Sequence, residues 1–564
     1  YPKAAAPKRL PLDRIVVSED TVEDFTRRLD RYAAVFVLKC TPALYSDLKS
    51  LYEDEKKAEI LEKVFLSFHE SWKKSQVLHE GDERDDSERS KEVHAWVLYF
   101  LARHYDNVGN CEEKAHMFLD LALEANPDII ELHIAKAHFY KHEGDYEKSF
   151  EEMDKTRKMD LSDRYLNTKC TKYALRANNV PRAEELIGMF LSDAPLGGRQ
   201  NLFDLQVMWF ETETGSAYLR QGDLARALKR FTAVDKHFHD IIEDQFDFHT
   251  YCLRKGTLCA YVRLMRMEDR IRGHKYYRAA AHGLIDIYLK LAENPNSAED
   301  ELEAKFAGLS ASERKKAISK MKKAEMKKAS ASAATEPAAS NKAAGKAGAK
   351  KGKASKPPTG FMELDPEGEE LISKVSDPLE DAAKVVENLI QFADDDIRTF
   401  VAAFRVYRTM SKPLLALRAV RRARDLDPAS HETMRLVVDF LKYFATVRDS
   451  VSDVVRQVVD LESADLLAGA TLPEYVAAYV SSNAGAAARA FYGGLEICGI
   501  EDDAGARQAA WQAAVGAVSG AWVPVKELEM MSGALKGRKG VTKEMVAEFR
   551  TMCHGKFPRA TAFL

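Results

Sequence analysis

The sequence predicts an all-α protein built as a tetratricopeptide-type α-solenoid, which is a right-handed superhelix of stacked helix pairs. First, small and aromatic residues recur at helical spacing around a turn glycine, with the period of about 34 residues that is typical of such repeats. Second, the alternating pattern of β-strands is lacking. Third, the chain of 564 residues is longer than one compact hydrophobic core can accommodate. A solenoid has no such limit, because it grows by adding helix pairs.

The repeat can be followed position by position from its turn residue. The clearest copy carries Leu98, Leu101, Ala102, Tyr105, Gly109, Ala115, Ala122 and Pro127. Further copies carry Ala137, Tyr140, Gly144, Tyr146 and Met153, then Gly215, Tyr218, Gly222, Leu224, Ala227 and Phe231, and later Tyr407, Ala416, Val420, Ala423, Asp427 and Pro428. A degenerate copy has Asn178, Ala183 and Ile187. Several copies in register favour a solenoid over a non-repeating helical protein.

Composition and pattern divide the chain into six expected segments. These are a helical segment that continues an N-terminal solenoid (1–92), a repeat block (93–300), a basic helix (301–328), a disordered Ala/Lys/Gly/Ser/Pro linker (329–360), a second repeat block (361–462) and an Ala-rich helical region (463–564). In the second block we expect five side chains to be buried: Phe404, Tyr407, Leu415, Val420 and Leu426.

Charge is concentrated in one arm of the chain. Residues 313–358 contain fourteen Lys or Arg against three Glu, a local net charge of +11, so the remainder carries −15 of the total of −4. Such an arm favours phosphate backbones, and it lacks aromatic residues that could stack on bases. We expect it to contact ribosomal RNA through Arg314, Lys315, Lys316, Lys320, Lys322, Lys323, Lys327 and Lys328. A solvated linker or a nuclear-import signal is the alternative.

A second group of basic residues falls on the first helices of successive pairs, which line the concave groove of such a solenoid. Arg103, His138, Lys141, Lys172 and Arg176 occupy groove-lining positions, with Lys136, Lys169 and Tyr173 close by. Cations gathered in a concave surface attract a polyanion, either an acidic peptide or a polyphosphate. The alternative is a solvated helix face that needs no ligand.

The sequence points to a protein of the cytoplasm, with the nucleus as a second location. No apolar run is long enough to span a bilayer, and seven scattered cysteines without a C-x-x-C pair indicate reduced thiols. We expect no membrane partner and no metal site. The start, Tyr1-Pro2-Lys3, leads us to expect that the chain begins inside a longer protein.

No catalytic residues are expected. The C-terminal stretch holds one histidine, His554, and no paired carboxylates framed by apolar residues. A divergent catalytic domain in residues 463–564 is therefore disfavoured, and a non-catalytic binding scaffold is favoured. A tetratricopeptide adaptor of chaperone or RNA-processing complexes is the alternative within that class.

Four segments resemble one known family closely, in order and spacing. They are residues 135–144 (AKAHFYKHEG), 163–173 (DRYLNTKCTKY), 244–255 (DQFDFHTYCLRK) and 364–380, which begins LDPEGE and ends DPLE. Through them the chain resembles the auxiliary subunit of the NatA N-terminal acetyltransferase complex. The resemblance runs from about residue 8 to about residue 440, and it is loose beyond about residue 463.

The resemblance implies a non-catalytic subunit that wraps a small GNAT-fold acetyltransferase and anchors it at the ribosome. The complex would acetylate nascent N-termini that begin with Ser, Ala, Thr or Gly after Met removal. No glycine here fits the R/Q-x-x-G-x-G/A loop by which a GNAT domain holds acetyl-CoA, so this chain would not bind that cofactor. A second acetyltransferase and a small inhibitory protein are further partners that the resemblance leaves open.

The resemblance also implies a bound inositol hexakisphosphate as a structural ligand. The matching lysines are Lys141, Lys169 and Lys172, and we extend the expected site to Lys136, His138 and Tyr173. This set overlaps the basic residues that repeat geometry places in the groove, so both arguments indicate a polyanion site at the same place.

Overall fold

The computed structural model describes residues 6–79, 88–109, 111–191, 202–243, 249–250, 254–256, 258–293, 365 and 367–563. Every regular element in these ranges is a helix, which confirms the predicted all-α class. Short 3₁₀ turns lie at Lys49–Glu53, Ile271–Gly273, Arg448–Ser450 and Thr561–Phe563. The expected rRNA-contact residues 314–328 and the linker 329–360 lie outside the described residues.

Contacts divide the chain into two units, of which the first comprises residues 1–190 and 420–564. Its N-terminal part contains α1 (Ala6–Arg14), α2 (Val22–Val37), α3 (Leu44–Leu48), α4 (Glu55–Ser75), α5 (Glu88–Val108), α6 (Glu112–Ala125), α7 (Ile130–His142), α8 (Tyr146–Met159), α9 (Arg164–Arg176) and α10 (Val180–Gly188). The second unit, residues 191–419, contains α11 (Met208–Gln221), α12 (Leu224–Glu243), α13 (Leu258–Glu268), α14 (Lys275–Glu293), α15 (Glu369–Ser373), α16 (Pro378–Phe392) and α17 (Ile397–Thr409).

Helix α18 (Pro413–Leu426) spans the boundary of the two units. The rest of the first unit is α19 (His431–Val447), α20 (Asp453–Leu466), α21 (Leu472–Ser482), α22 (Ala487–Ile500), α23 (Ala504–Ser519), α24 (Val525–Leu535) and α25 (Lys543–Lys556).

The turns inside the predicted repeats all contain one residue in the left-handed backbone conformation. Gly109, Gly144, Asn178, Gly222 and Ser411 all have φ between +56° and +84°. Glycine adopts this left-handed region without steric cost, and asparagine tolerates it better than most residues. The degenerate copy therefore keeps the turn with Asn178 in the place of glycine.

Three of these turns start the next helix in the same way. Asp145, Asn179 and Asp223 follow the left-handed residue, and each side chain accepts a hydrogen bond from a backbone amide three residues on, at 3.0, 3.2 and 3.0 Å. The backbone amides of the same residues donate to a carbonyl five residues back, at 2.9, 2.9 and 3.0 Å. One helix is thus closed and the next is capped within two residues.

Small side chains set the distance between paired helices. Ala102, Ala115 and Ala122 in the first copy are at most 2% exposed. In the third copy, a Cβ placed on Gly215 would lie 2.8 Å from the ring of Phe231. The aromatic ring therefore fills the space that the missing side chain leaves.

The second repeat block is buried mainly where the sequence predicts it. Phe404, Tyr407 and Val420 are at most 4% exposed. Leu426, however, is 40% exposed and Leu415 is half-buried, so the prediction was wrong for Leu426. The buried residues of α18 are Ala416, Leu417, Ala419, Val420 and Ala423. Leu426 is the last residue of that helix and lies beyond this buried segment.

Within the first unit, the C-terminal end of the chain packs on the turn between α7 and α8. Arg559 donates to Glu143 at 2.7 Å and lies 5.4 Å from the ring of Tyr140. Glu143 is 6% exposed and also contacts His116 at 2.5 Å. The backbone amide of Thr561 donates to the carbonyl of Gly144 at 3.4 Å. The last described residues are thus anchored to a repeat turn more than 400 residues away in sequence.

Gly144 also packs closely against side chains of the C-terminal part of the chain. A Cβ added to it would lie 2.8 Å from Val525 Cγ1 and 3.0 Å from Ala560 Cβ. Gly222, at the same position of a later repeat, has a similar φ of +84° and no atom within 4 Å of such a Cβ. The two glycines differ in what covers them rather than in their backbone conformation.

No helix among the described residues is both long enough and apolar enough to cross a bilayer.

We predict that Gly144→Ala loosens the C-terminal segment, whereas Gly222→Ala leaves it in place. Both changes carry the backbone strain of a positive φ, about 1–2 kcal/mol, but only Gly144→Ala adds a clash, which costs about 1–3 kcal/mol. Amide hydrogen exchange of residues 557–563 should accelerate in the first variant alone. Equal exchange in both variants would show that Gly144 does not support the docking of this segment.

Candidate anion-binding site

Five cations lie on the first helices of three successive pairs in the first unit. Arg103 is on α5, Lys141 is on α7, and Lys169, Lys172 and Arg176 are on α9. The three residues of α9 are spaced i, i+3 and i+7, so they form one stripe along that helix. We call these five residues the cationic stripe.

The cations of the stripe are close enough to perturb one another. Burial, with the neighbouring charges of Arg176, Lys169 and Arg103, lowers the pKa of Lys141 to about 8. Burial, Arg176 and Arg103 also lower the pKa of Lys169. A lysine whose ammonium is destabilised by its neighbours is a favourable place for an anion, because a bound anion removes that repulsion.

Arg103 is held against the aromatic ring of Tyr45. Its guanidinium carbon lies 4.7 Å from the ring centroid, and its Nε is buried without a hydrogen-bond partner. Burial raises the pKa of Tyr45 to about 12, against the opposing effect of Arg103. A planar guanidinium fixed by stacking can present its remaining N–H groups to a phosphate or carboxylate.

One carboxylate, that of Asp106 on α5, lies beside the stripe and contacts two histidines of α7. Its Oδ1 is 2.8 Å from Nδ1 of His142, and its Oδ2 is 3.7 Å from Nδ1 of His138. Burial opposes ionisation of Asp106, but the two histidines lower its pKa below the ordinary range. Burial lowers the pKa of His138 to about 3, so that imidazole is neutral at physiological pH.

The structure brings several of the sequence-predicted site residues together. Lys141 and Lys169 are within electrostatic reach of each other, and His138 lies beside them next to Asp106. Tyr173 is 4% exposed, and the guanidinium of Arg176 is 6.0 Å from its ring centroid. Lys172 is half-buried on the same stripe.

Lys136 lies apart from this group. Its ammonium pairs with Asp120 of α6 at 3.2 Å. It precedes His138 by two residues, and two residues correspond to about 200° around a helix, so the two side chains leave α7 on opposite sides.

Two residues of this region were absent from the sequence-based site, namely Asp106 and His142. The spacing of His138 and His142, i and i+4 on one helix, was the available signal. The position of Asp106 was not readable in this way, because it depends on how α5 packs beside α7.

The chain matches a family model described as "N-terminal acetyltransferase A, auxiliary subunit" over residues 1–423. It is 35% identical over 573 residues to human "N-alpha-acetyltransferase 16, NatA auxiliary subunit". That alignment covers 100% of this chain and 64% of the human protein. It is 37% identical over 440 residues to the Arabidopsis thaliana "N-terminal acetyltransferase A complex auxiliary subunit NAA15", over 78% of this chain and 46% of the plant protein.

A solved structure is also similar. "Structure of Naa15/Naa10 bound to HypK-THB" matches with a TM-score of 0.63 and 29% identity, over 82% of this chain and 57% of the matched chain. The present chain therefore spans less than two thirds of the length of its human and plant relatives.

Proposed function

The chain belongs to the family of auxiliary subunits of N-terminal acetyltransferase A, and from that premise we propose that it is a non-catalytic scaffold for a separate acetyltransferase subunit. The observation that carries the proposal is the family match over residues 1–423. The similar Naa15 chain was solved together with Naa10. By analogy, this chain holds a small GNAT-fold catalytic subunit, and a HypK-like protein is a further candidate partner.

The secondary structure of the chain supports a scaffold role for this chain and a catalytic role for the partner subunit. A GNAT domain binds acetyl-CoA on a mixed β-sheet with a glycine-rich pyrophosphate loop, whereas the regular elements of the described ranges are helices. Helix pairs provide long surfaces for a partner protein. Acetyl transfer to nascent N-termini that begin with Ser, Ala, Thr or Gly would then take place on the partner.

We predict that the chain alone transfers no acetyl group to a peptide that begins Ser-Ala, and that it raises the activity of a co-expressed GNAT-fold partner on that peptide. A rise of about tenfold in kcat/KM would correspond to about 1.4 kcal/mol of transition-state stabilisation. Acetyl-CoA consumption, with partner recovery by affinity purification, measures both effects. An unrelated solenoid of similar size is the control. Activity of the partner that is unchanged by this chain would contradict the proposal.

We propose further that the cationic stripe binds inositol hexakisphosphate as a structural ligand. The proposal is supported by Lys141 and Lys169, whose ammonium groups are destabilised by neighbouring cations, and by the stacked guanidinium of Arg103. His138, Lys172 and Tyr173 complete the proposed site, and Lys136 stays an outlying candidate.

Lys141→Ala and Lys169→Ala should each weaken binding of inositol hexakisphosphate about tenfold, since a hydrogen bond to a charged group contributes about 1.5–3 kcal/mol. Lys148→Ala is the matched control, because Lys148 is exposed on α8 and pairs with Asp145. Calorimetric titration measures the affinities. Affinity should also fall as pH rises through about 8, where Lys141 loses its proton. If Lys141→Ala, Lys169→Ala and Lys148→Ala all bound inositol hexakisphosphate with the same affinity, the cationic stripe would not be its binding site.

We propose that the basic arm anchors the complex to cytoplasmic ribosomes through ribosomal RNA. The proposal is supported by the local net charge of +11 in residues 313–358. Neutralising phosphates releases counterions, so such binding needs no base-specific contacts and weakens with salt.

Charge reversal to Glu at Lys315, Lys316, Lys322 and Lys323 should abolish co-sedimentation with ribosomes at physiological salt. Four exposed lysines of α4 offer a matched reversal that preserves the total charge change: Lys56, Lys63, Lys73 and Lys74. The control should still sediment with ribosomes. If the arm variant still sedimented with ribosomes, or if both variants lost ribosome binding equally, the basic arm would not be the ribosome anchor.

A further inference from the structure

We propose that Asp106, His138 and His142 form a binding site for a divalent transition-metal ion such as Zn²⁺. One ligand atom from each residue lies within 4.8 Å of the others. Two imidazole nitrogens and one carboxylate oxygen are a donor set that zinc accepts in proteins. This site borders the proposed polyanion site and shares His138 with it, but its ligand set does not depend on a bound polyanion.

The secondary structure brings the three donors together. His138 and His142 are one helical turn apart on α7, and their ring centroids are 4.0 Å apart. Two histidines at i and i+4 present their rings on one face, the spacing that helical zinc sites use. Asp106 lies near the C-terminal end of α5 and approaches that face from the neighbouring helix pair. The site is therefore set by two packed helices rather than by a loop.

Hydrogen bonding leaves one of these donors unsatisfied. Nδ1 of His142 lies 2.8 Å from Asp106, an ordinary hydrogen-bond distance. Nδ1 of His138 is buried and has no hydrogen-bond partner, and it is 3.7 Å from the same carboxylate. A buried ring nitrogen without a partner costs free energy. A metal ion between the three groups would satisfy it, because neighbouring ligands of a tetrahedral zinc are about 3.3 Å apart at Zn–N distances of about 2.0–2.1 Å.

Solvent access also suits a metal. Asp106 is 8% exposed in its side chain, His138 is 22% exposed and His142 is 41% exposed, so the site opens to solvent on the His142 side.

The surrounding charges limit the affinity. Arg103 and Lys141 act on His138 electrostatically, and they oppose a dication. The single carboxylate of Asp106 offsets part of this repulsion. We therefore expect weaker binding than at a structural zinc site with four protein ligands, and a preference for an anion or hydroxide in the fourth position.

Titration of the full chain with ZnCl₂ tests the site, in buffer free of phosphate and inositol phosphates, which chelate zinc. Asp106→Asn and His142→Ala should each remove one bound Zn²⁺ per chain, or weaken its binding at least about tenfold. His133→Ala is the matched control, since His133 lies on the same helix and contacts the Pro127 carbonyl at 2.8 Å. All four proteins keep the same thiols, so the differences among them isolate the triad.

Substitution of Co²⁺ for Zn²⁺ gives a second readout, the visible absorption of a low-symmetry Co²⁺ site with nitrogen ligands. The spectrum should appear in the parent chain and in His133→Ala, and should be lost in His142→Ala. Thermal unfolding without metal verifies that each variant is folded. Equal zinc stoichiometry in all four folded proteins, or no binding by the parent chain, would overturn the proposal.

Discussion

The architecture depends on a two-residue turn that is repeated along the chain. A left-handed residue ends one helix, and the next residue caps the following helix, as at Gly144 with Asp145 and at Asn178 with Asn179. This local hydrogen bonding fixes where the first helix of a pair ends and the second begins. The same two residues pair backbone carbonyls at the end of the first helix and backbone amides at the start of the second. Small buried residues then let the pairs pack closely. The cationic stripe and the Asp106–His138–His142 group are carried by helices placed in this way.

Regular stacking turns single charged residues into a collective electrostatic feature. Arg103, Lys141 and Lys169 come from three different pairs. Arg103 and Lys169 lower the pKa of Lys141, and Arg103 also lowers the pKa of Lys169. Desolvation adds to the effect, since a half-buried ammonium loses part of its hydration, and the Asp106 carboxylate offsets only part of this at Lys141. Next to the stripe, Asp106 and two histidines form a group with opposite chemistry. A cationic surface and the Asp106–His138–His142 group can therefore lie side by side on α5 and α7.

The turn that builds the repeats also serves as a docking surface. At Gly144 the absence of a side chain lets Val525 and Ala560 approach the backbone, and Arg559 neutralises the buried Glu143 beside it. At Gly222 the same turn has open space around it. One motif thus has a purely conformational role in one repeat and both a conformational and a packing role in another. The C-terminal helices belong to the same packed unit as residues 1–190.

The sequence by itself determined the features that arise from interactions over a few residues. Helical periodicity, the turn residues and the lysines at groove positions were readable because each depends on spacing along one helix or on one turn. The structure decided the features that need two distant segments to meet. Asp106 joins His138 and His142 only through the packing of α5 beside α7, and Lys136 turns towards Asp120 because of its angular position on α7. Leu426 is exposed at the last position of α18, beyond the buried Ala423, because the point at which a helix leaves its packing partners depends on distant segments and is not encoded in local spacing.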